Sequence, residues 1–244
     1  RRVLFRSGRM SFAENYRRIF LEEGLDAYAT DELALKFERL TRMLLSFNAC
    51  TNLTAITEEE EILRKHYADC LKSAHLLPYG ASVLDVGCGG GFPALPLAIA
   101  RPDLTVVGLD STGKKLQFVE ICAKELNLRV QTLSGRAEEL GREERYRESF
   151  DAVTARAVAA LPVLCEWCLP FVRVGGVFLS MKGSGGREEL KSAGNAIFRL
   201  GGKKKTVEEY TLGGAGRVNI LVEKVQPTPG IYPRKNSVIL KNPL

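Results

Sequence analysis

Apolar residues recur with two different periods along this chain, and the change from one to the other falls near residue 80. Before it the spacing is helical. Residues 12–23 read as a helix, and from Thr30 a second helix sets Leu33, Phe37, Leu40 and Leu44 on one stripe. Thr57 and Glu60 make a T-x-x-E capping box, which predicts a third helix through Ile62, His66, Cys70 and Ala74 that stops before Pro78 and Gly80. Beyond residue 80, short runs rich in β-branched residues alternate with helical segments, at 83–86, 105–109, 130–133, 150–155 and 176–181. Strands separated by helices predict βαβ units and a parallel sheet. Two late runs, 206–211 and 218–225, are parted only by a turn with Gly213, Gly214 and Gly216, so they are expected to pair as an antiparallel hairpin. The pattern predicts an α/β, doubly wound fold. Its seven-stranded, mostly parallel sheet over 81–244 ends in the hairpin, and residues 10–80 form a helical cap in one compact unit with it.

Composition narrows the classes without choosing among them. A chain of 244 residues with 45% hydrophobic and 26% charged residues can bury a full core. No run approaches the roughly 18 consecutive apolar residues of a membrane-spanning helix, so no membrane partner is expected. The net charge of +6 includes four arginines within residues 1–9, a basic stretch without the apolar region of a secretory signal. With Met10 as the start, those nine residues are expected to be a non-native leader, and the balance falls to +2. What remains is asymmetric: residues 173–244 hold 13 basic and 5 acidic groups, which points to a polyanion surface.

Six dispersed cysteines fit a reducing, cytoplasmic setting better than a disulfide scaffold. Cys165 and Cys168 form a CxxC, but it lies in an apolar helical run and the only histidines, 66 and 75, are distant. Packed helix cysteines are expected there, and no metal site.

The chemistry-bearing feature is Val83-Leu84-Asp85-Val86-Gly87-Cys88-Gly89-Gly90-Gly91-Phe92-Pro93, a buried strand entering a glycine turn and then a helix from Pro93. Glycines let backbone approach a ligand, and the helix start offers unpaired N–H groups. Phe92 stands where a dinucleotide-binding G-x-G-x-x-G would have its third glycine, which disfavours NAD or FAD. Asp110 closes the second strand, where an acid can accept both hydroxyls of a ribose. Gly135-Arg136-Ala137-Glu138-Glu139 follows the third strand and Arg156 the fourth, and Lys182 ends the fifth. Each charged residue there either emerges into solvent or faces a ligand.

In order and content these residues resemble the RsmG (GidB) family of bacterial small-subunit ribosomal RNA methyltransferases, Rossmann-like class I enzymes. The resemblance runs from Asn52-Leu53-Thr54 through His66-Tyr67-Ala68-Asp69-Cys70-Leu71, Asp85 to Pro96, Leu109-Asp110-Ser111 with Gly113-Lys114-Lys115, the segments at Gly135, Arg156 and Lys182-Gly183, to Thr228-Pro229 and Tyr232-Pro233-Arg234. It implies S-adenosyl-L-methionine as cofactor, with Gly87, Gly89, Phe92, Asp110, Ser111, Thr112, Ala137, Glu138 and Arg156 contacting it. It further implies 16S rRNA or the small ribosomal subunit as partner and methylation of a guanine N7 in the decoding-region loop; a monomer is expected. N7 carries a lone pair, so no general base is needed; Arg156 or Lys182 is expected to orient the guanine through O6 or a phosphate. His66 and Asp69, three residues apart, either pair to anchor the cap or line the RNA side. Lys203-Lys204-Lys205, with Arg234, Lys235 and Lys241, can grip phosphates or simply be solvated. Cys88, where the family usually has Ser or Thr, predicts a thiol-sensitive site. A small-molecule methyltransferase using the same cofactor half is the alternative; a nucleotide-dependent oxidoreductase and a non-catalytic RNA-binding module are more distant ones.

Overall fold

Buried β-branched runs become strands because both of their faces are covered. The computed structural model describes residues 10–244, so the leader expectation for residues 1–9 lies outside the described residues. The strands are β1 (Ser82–Val86), β2 (Thr105–Asp110), β3 (Val130–Ser134), β4 (Phe150–Arg156), β5 (Val172–Gly183), β6 (Gly202–Leu212) and β7 (Ala215–Lys224). They lie in one sheet in the order β3-β2-β1-β4-β5-β7-β6. β1 to β5 are parallel, with Val86 beside Leu109 and Asp85 beside Thr154. β7 inserts antiparallel between β5 and β6, which makes β6 an edge. Gly213 and Gly214, at φ +52° and +82°, form the two-residue turn of this hairpin. Positive φ at both positions matches the strand twist, and glycine supplies it at little steric cost.

On one face lie the N-terminal helices with α5 (Ala94–Ala100) and α6 (Gly113–Glu125). α1 (Phe12–Glu22) opens with a capping box between Ser11 and Glu14, and α2 (Asp31–Thr51) is capped by Thr30. Their aromatic rings meet in sequence: Tyr16 on Phe20 at 4.0 Å, Tyr16 on Phe37 at 5.6 Å, Phe37 on Tyr67 at 4.7 Å. These rings share one buried cluster with Val83, Leu179, Met181 and Leu221 of the sheet. The opposite face carries α7 (Ala137–Leu140), α8 (Leu161–Cys168), α9 (Gly186–Ser192) and α10 (Gly194–Arg199) over Leu84, Val86, Val153, Phe178 and Val222. Cys165 and Cys168 are fully buried on α8, as packed helix cysteines.

The third helix departs from expectation. An α-turn at Glu59–Glu61 (α3) leads into a π-helix at Ile62–Ala68 and then a closing turn at Asp69–Leu71 (α4). The predicted capping box is not made: the N-cap is Glu58, with no side-chain cap, and the carboxylate of Glu60 binds Arg18 of α1 at 2.7 Å instead. At the other end of the chain, α11 (Asn236–Lys241) follows a tail clasped by Arg234 against Glu166 of α8, Nη2 to Oε2 at 2.7 Å. The Glu166 side chain in that pair is fully buried.

Candidate active site

The order of the sheet reverses between β1 and β4, and ligands of such folds bind in the crevice at that switch point. The glycine turn sits there. Leu109 O accepts from the N–H groups of both Gly87 (2.8 Å) and Cys88 (2.9 Å), which ties the turn to the end of β2. Gly87, Gly89 and Gly91 have φ of +70°, +54° and +85°. A Cβ on Gly87 would stand 2.9 Å from Val158, and one on Gly91 2.6 Å from Leu95, so neither position has room for a side chain. Gly89 faces open space. The helix after the turn begins at Ala94, one residue later than expected, with Pro93 at its N-cap.

Two carboxylates organise the turn. Asp110 accepts from the N–H of Gly89 at 3.0 Å through Oδ2 and of Thr112 at 2.8 Å through Oδ1, which fixes it at the mouth of the crevice. Asp85 lies beneath, 1% exposed, accepting from the Ala94 N–H at 3.1 Å and the Thr154 hydroxyl at 3.0 Å. Burial outweighs these hydrogen bonds and pushes its carboxyl up to about 7.

The open cleft is lined by Gly87, Asp110, Ser111, Ala137 and Glu138 among the expected residues. Glu138 is held by the Arg136 Nε at 2.7 Å. Thr112 contributes through its backbone contact with Asp110. The wall also includes Val86, Leu109, Gly135, Arg136, Val158 and Trp167, which sequence reasoning had not named as contacts. Gly135 and Arg136 belong to the segment 135–139 that follows β3; nothing local marks Trp167, which arrives from α8.

Phe92 and Arg156 lie across the glycine turn from this wall, on the cap side, within one cluster. The Phe92 ring stacks on His66 at 4.5 Å and 10°. The Arg156 guanidinium sits 5.8 Å from the centre of the same ring. Arg156 donates to Lys65 O (3.0 Å), Asp69 Oδ2 (3.1 Å) and His66 Nδ1 (3.2 Å). His66 and Asp69 therefore do not pair with each other; both meet Arg156. With Nδ1 accepting, Nε2 carries the proton and donates to the Thr54 hydroxyl at 2.8 Å. Burial, and then the charge of Arg156, push the imidazole down to about 4, so it is neutral near pH 7. Asp69 also receives Tyr210 and Arg217 from the hairpin.

Lys182 is elsewhere. Its ammonium is bound by Ala159 O and by Glu189 of α9 at 2.8 Å, so it leaves the sheet on the face opposite to Arg156. Two parts of the expected phosphate grip are also displaced. Arg234 is committed to Glu166, and Lys203 pairs in register with Glu223, at the end of the sheet away from the crevice. Cys88 is 2% exposed, and burial pushes its thiol well above the ordinary range; an inert packed thiol replaces the thiol-sensitive site expected from sequence. Among the described residues, no three His, Cys, Asp or Glu side chains gather as a metal would require.

The family described as rRNA small subunit methyltransferase G (GidB) matches residues 34–216. This chain belongs to that family. Ribosomal RNA small subunit methyltransferase G of Brevibacillus brevis is 43% identical over 236 residues, covering 95% of this chain and 98% of the relative. The protein of the same name from Moorella thermoacetica is 45% identical over 212 residues, covering 85% and 88%. Solved structures share the fold at lower identity. Cofactor-bound Rv0187 from MTB superposes with a TM-score of 0.59 at 18% identity, covering 84% of this chain and 96% of that one. An O-methyltransferase from Bacillus cereus in complex with SAH gives 0.53 at 19% identity, covering 76% and 91%. The sheet with its reversed C-terminal hairpin is thus a methyltransferase fold of the Rossmann-like class.

Proposed function

We propose that the cleft between the glycine turn and α7 holds S-adenosyl-L-methionine, and that the chain transfers its methyl group to N7 of a guanine in the decoding-region loop of 16S rRNA. The observation that carries this reading is the joint placement of the glycine turn and Asp110. Gly87 and Gly91 leave no room for a side chain, and the turn is pinned at Gly89 by a carboxylate fixed at the cleft mouth. The wall suits a nucleoside. Asp110 and Glu138 supply acceptors at two points, and Val86, Leu109, Ala137 and Val158 supply apolar surface between them. Asp110 would accept from the ribose hydroxyls, with Gly87, Gly89, Ser111 and Thr112 against the same half and Ala137 and Glu138 at the base.

When bound, the cofactor supplies a methyl group on a positively charged sulfur. The rest of the task is positional. Guanine N7 needs no proton removed, so the chain requires no general base, and the neutral, hydrogen-bonded His66 is consistent with that. Alignment with exclusion of water is an effect of about 7–11 kcal/mol. Arg156 and Phe92 are placed for it: the ring offers an apolar face, and three of the five guanidinium donors are held by the cap, which orients the remainder. We assign Arg156 to the O6 edge of the guanine or its phosphate. Lys182 instead holds α9 against the β4–α8 connection. We infer a monomer acting in the cytoplasm, where its ribosomal RNA substrate lies; no helix among the described residues is long and apolar enough to cross a membrane.

The test is to incubate the protein with methyl-labelled S-adenosylmethionine and small subunits or naked 16S rRNA lacking the modification, then digest the RNA. Label in 7-methylguanosine is expected; label in another nucleoside, or none from a preparation that binds the cofactor, would reject the assignment.

A further inference from the structure

The chain has one tryptophan, Trp167, on the last turn of α8. Leu161, Leu164, Cys165 and Cys168 of this helix are fully buried in the core. Trp167 is only partly buried and lines the cleft together with Ala137 and Glu138. It is the only aromatic side chain in that wall among the described residues. Its indole N–H is shut away from solvent without a hydrogen-bond partner among the described residues. Such a donor carries a desolvation penalty that Phe or Leu would avoid, so no hydrogen bond accounts for a tryptophan here. With the N–H turned away from solvent, what the residue has left to offer the cleft is the carbon surface of its ring. A purine buries its flat faces best against an aromatic plane, and the two carboxylates of the wall cannot supply one.

We propose that Trp167 is the wall against which the base of the adenosine cofactor lies, and that packing area rather than the indole N–H makes the contact. This rests on the cleft being the cofactor site. Because no other tryptophan contributes, emission under tryptophan-selective excitation reports the state of this one wall.

The experiment titrates the full chain with S-adenosylhomocysteine, following tryptophan emission and, in parallel, the heat of binding. A saturable change in emission with the same midpoint as the heat is expected. Trp167→Phe, which keeps an aromatic plane and drops the unpaired donor, should bind within about threefold of wild type. Trp167→Leu, which fills the space without a plane, and Trp167→Ala should bind about tenfold more weakly or worse, the scale of losing one base–aromatic contact. The leucine variant keeps the comparison available if alanine disturbs α8, and circular dichroism establishes that each variant is folded. Heat of binding with unmoved emission, or leucine binding as tightly as wild type, overturns the role of Trp167 alone. Phenylalanine binding as weakly as leucine overturns the assignment to packing area. No heat at all overturns the cofactor site itself, and this inference with it.

Discussion

Asp85 and His66 are both buried near the glycine turn, and their ionisation is displaced in opposite directions with opposite consequences for stability. Burial raises Asp85 from 3.8 to about 7, so the folded chain keeps a proton that the unfolded chain releases; stability from this group declines as pH rises from about 4 to about 7. Burial lowers His66 from 6.5 to about 4, so the unfolded chain takes up a proton that the folded chain refuses; stability from this group is lost as pH falls from about 6.5 to about 4. Over that shared window the two offset each other. Asp85→Asn keeps an acceptor for the Ala94 N–H and removes only the aspartate response. Its melting temperature should fall more steeply in acid than that of wild type, whereas His66→Gln should gain stability relative to wild type on acidification. Thermal unfolding of the three proteins from pH 4 to 7.5 checks this, and parallel profiles would show Asp85 ionised in the fold. Asp85, Asp110 and the glycines were legible in the sequence because their roles are written within a strand, a turn and the end of the next strand. The bond from Arg156 to His66 spans 90 positions, and Trp167 reaches the cleft only through the path of α8; no local pattern expresses either.

The inner strands could be read from the chain because a parallel sheet covered on both faces demands continuous apolar runs, as in β1 and β4, whereas β3 and the antiparallel edge strand β6 are half-exposed and were legible from their β-branched residues and the glycine turn. The third helix could not. A π-helix of seven residues has no sequence period distinguishable over so short a span from that of an α-helix, and the T-x-x-E signal was outcompeted when Glu60 found Arg18. Arg156 reaches the C-terminal half of that π-helix, donating to Lys65 O and His66 Nδ1 there and to the carboxylate of Asp69 on α4. In the pair with Asp69 the two side chains are only 15% and 9% exposed, and removing Arg156 leaves the carboxylate with Tyr210 and Arg217 alone. Because Asp69 keeps Arg217 and Tyr210, Arg156→Ala should cost no more than about 3 kcal/mol of unfolding free energy, the lower end of the range for breaking a buried pair, with Arg156→Lys intermediate because one ammonium cannot span three acceptors. Denaturant unfolding gives the magnitude, and hydrogen exchange without RNA gives the location. Faster exchange confined to residues 62–71 is expected, and exchange unchanged there would mean that the π-helix holds itself.

The cap and the sheet share one buried cluster, from Tyr16 and Phe37 through Cys88 to Leu221. We propose on that ground that residues 10–80 and 81–244 fold as one unit, so near- and far-ultraviolet circular dichroism should melt in a single coincident transition; separated transitions would divide the chain at the cap. The same topology redistributes the basic charge that composition had assigned to the C-terminal third. β7 runs antiparallel to β5, with Gly183 beside Arg217 and Val177 beside Glu223, so the start of β6, with Lys203 and Lys204, is carried to the end of the sheet away from the crevice. Lys114 and Lys115, at the start of α6, follow directly on Asp110, Ser111 and Thr112 at the crevice mouth. An RNA loop that delivers a base to the crevice brings its phosphates past the mouth before it reaches the far edge of the sheet. Each phosphate contact adds about 0.7–0.9 to the slope of log affinity against log salt. Replacing Lys114 and Lys115 by Gln should then flatten the salt dependence of 16S rRNA binding by roughly one to two units. The same replacement at Lys203 and Lys204 should leave the slope within measurement error, with S-adenosylhomocysteine affinity preserved in both variants. If the β6 pair flattens the slope instead, the RNA runs along the edge of the sheet, and its path to Arg156 passes over the hairpin.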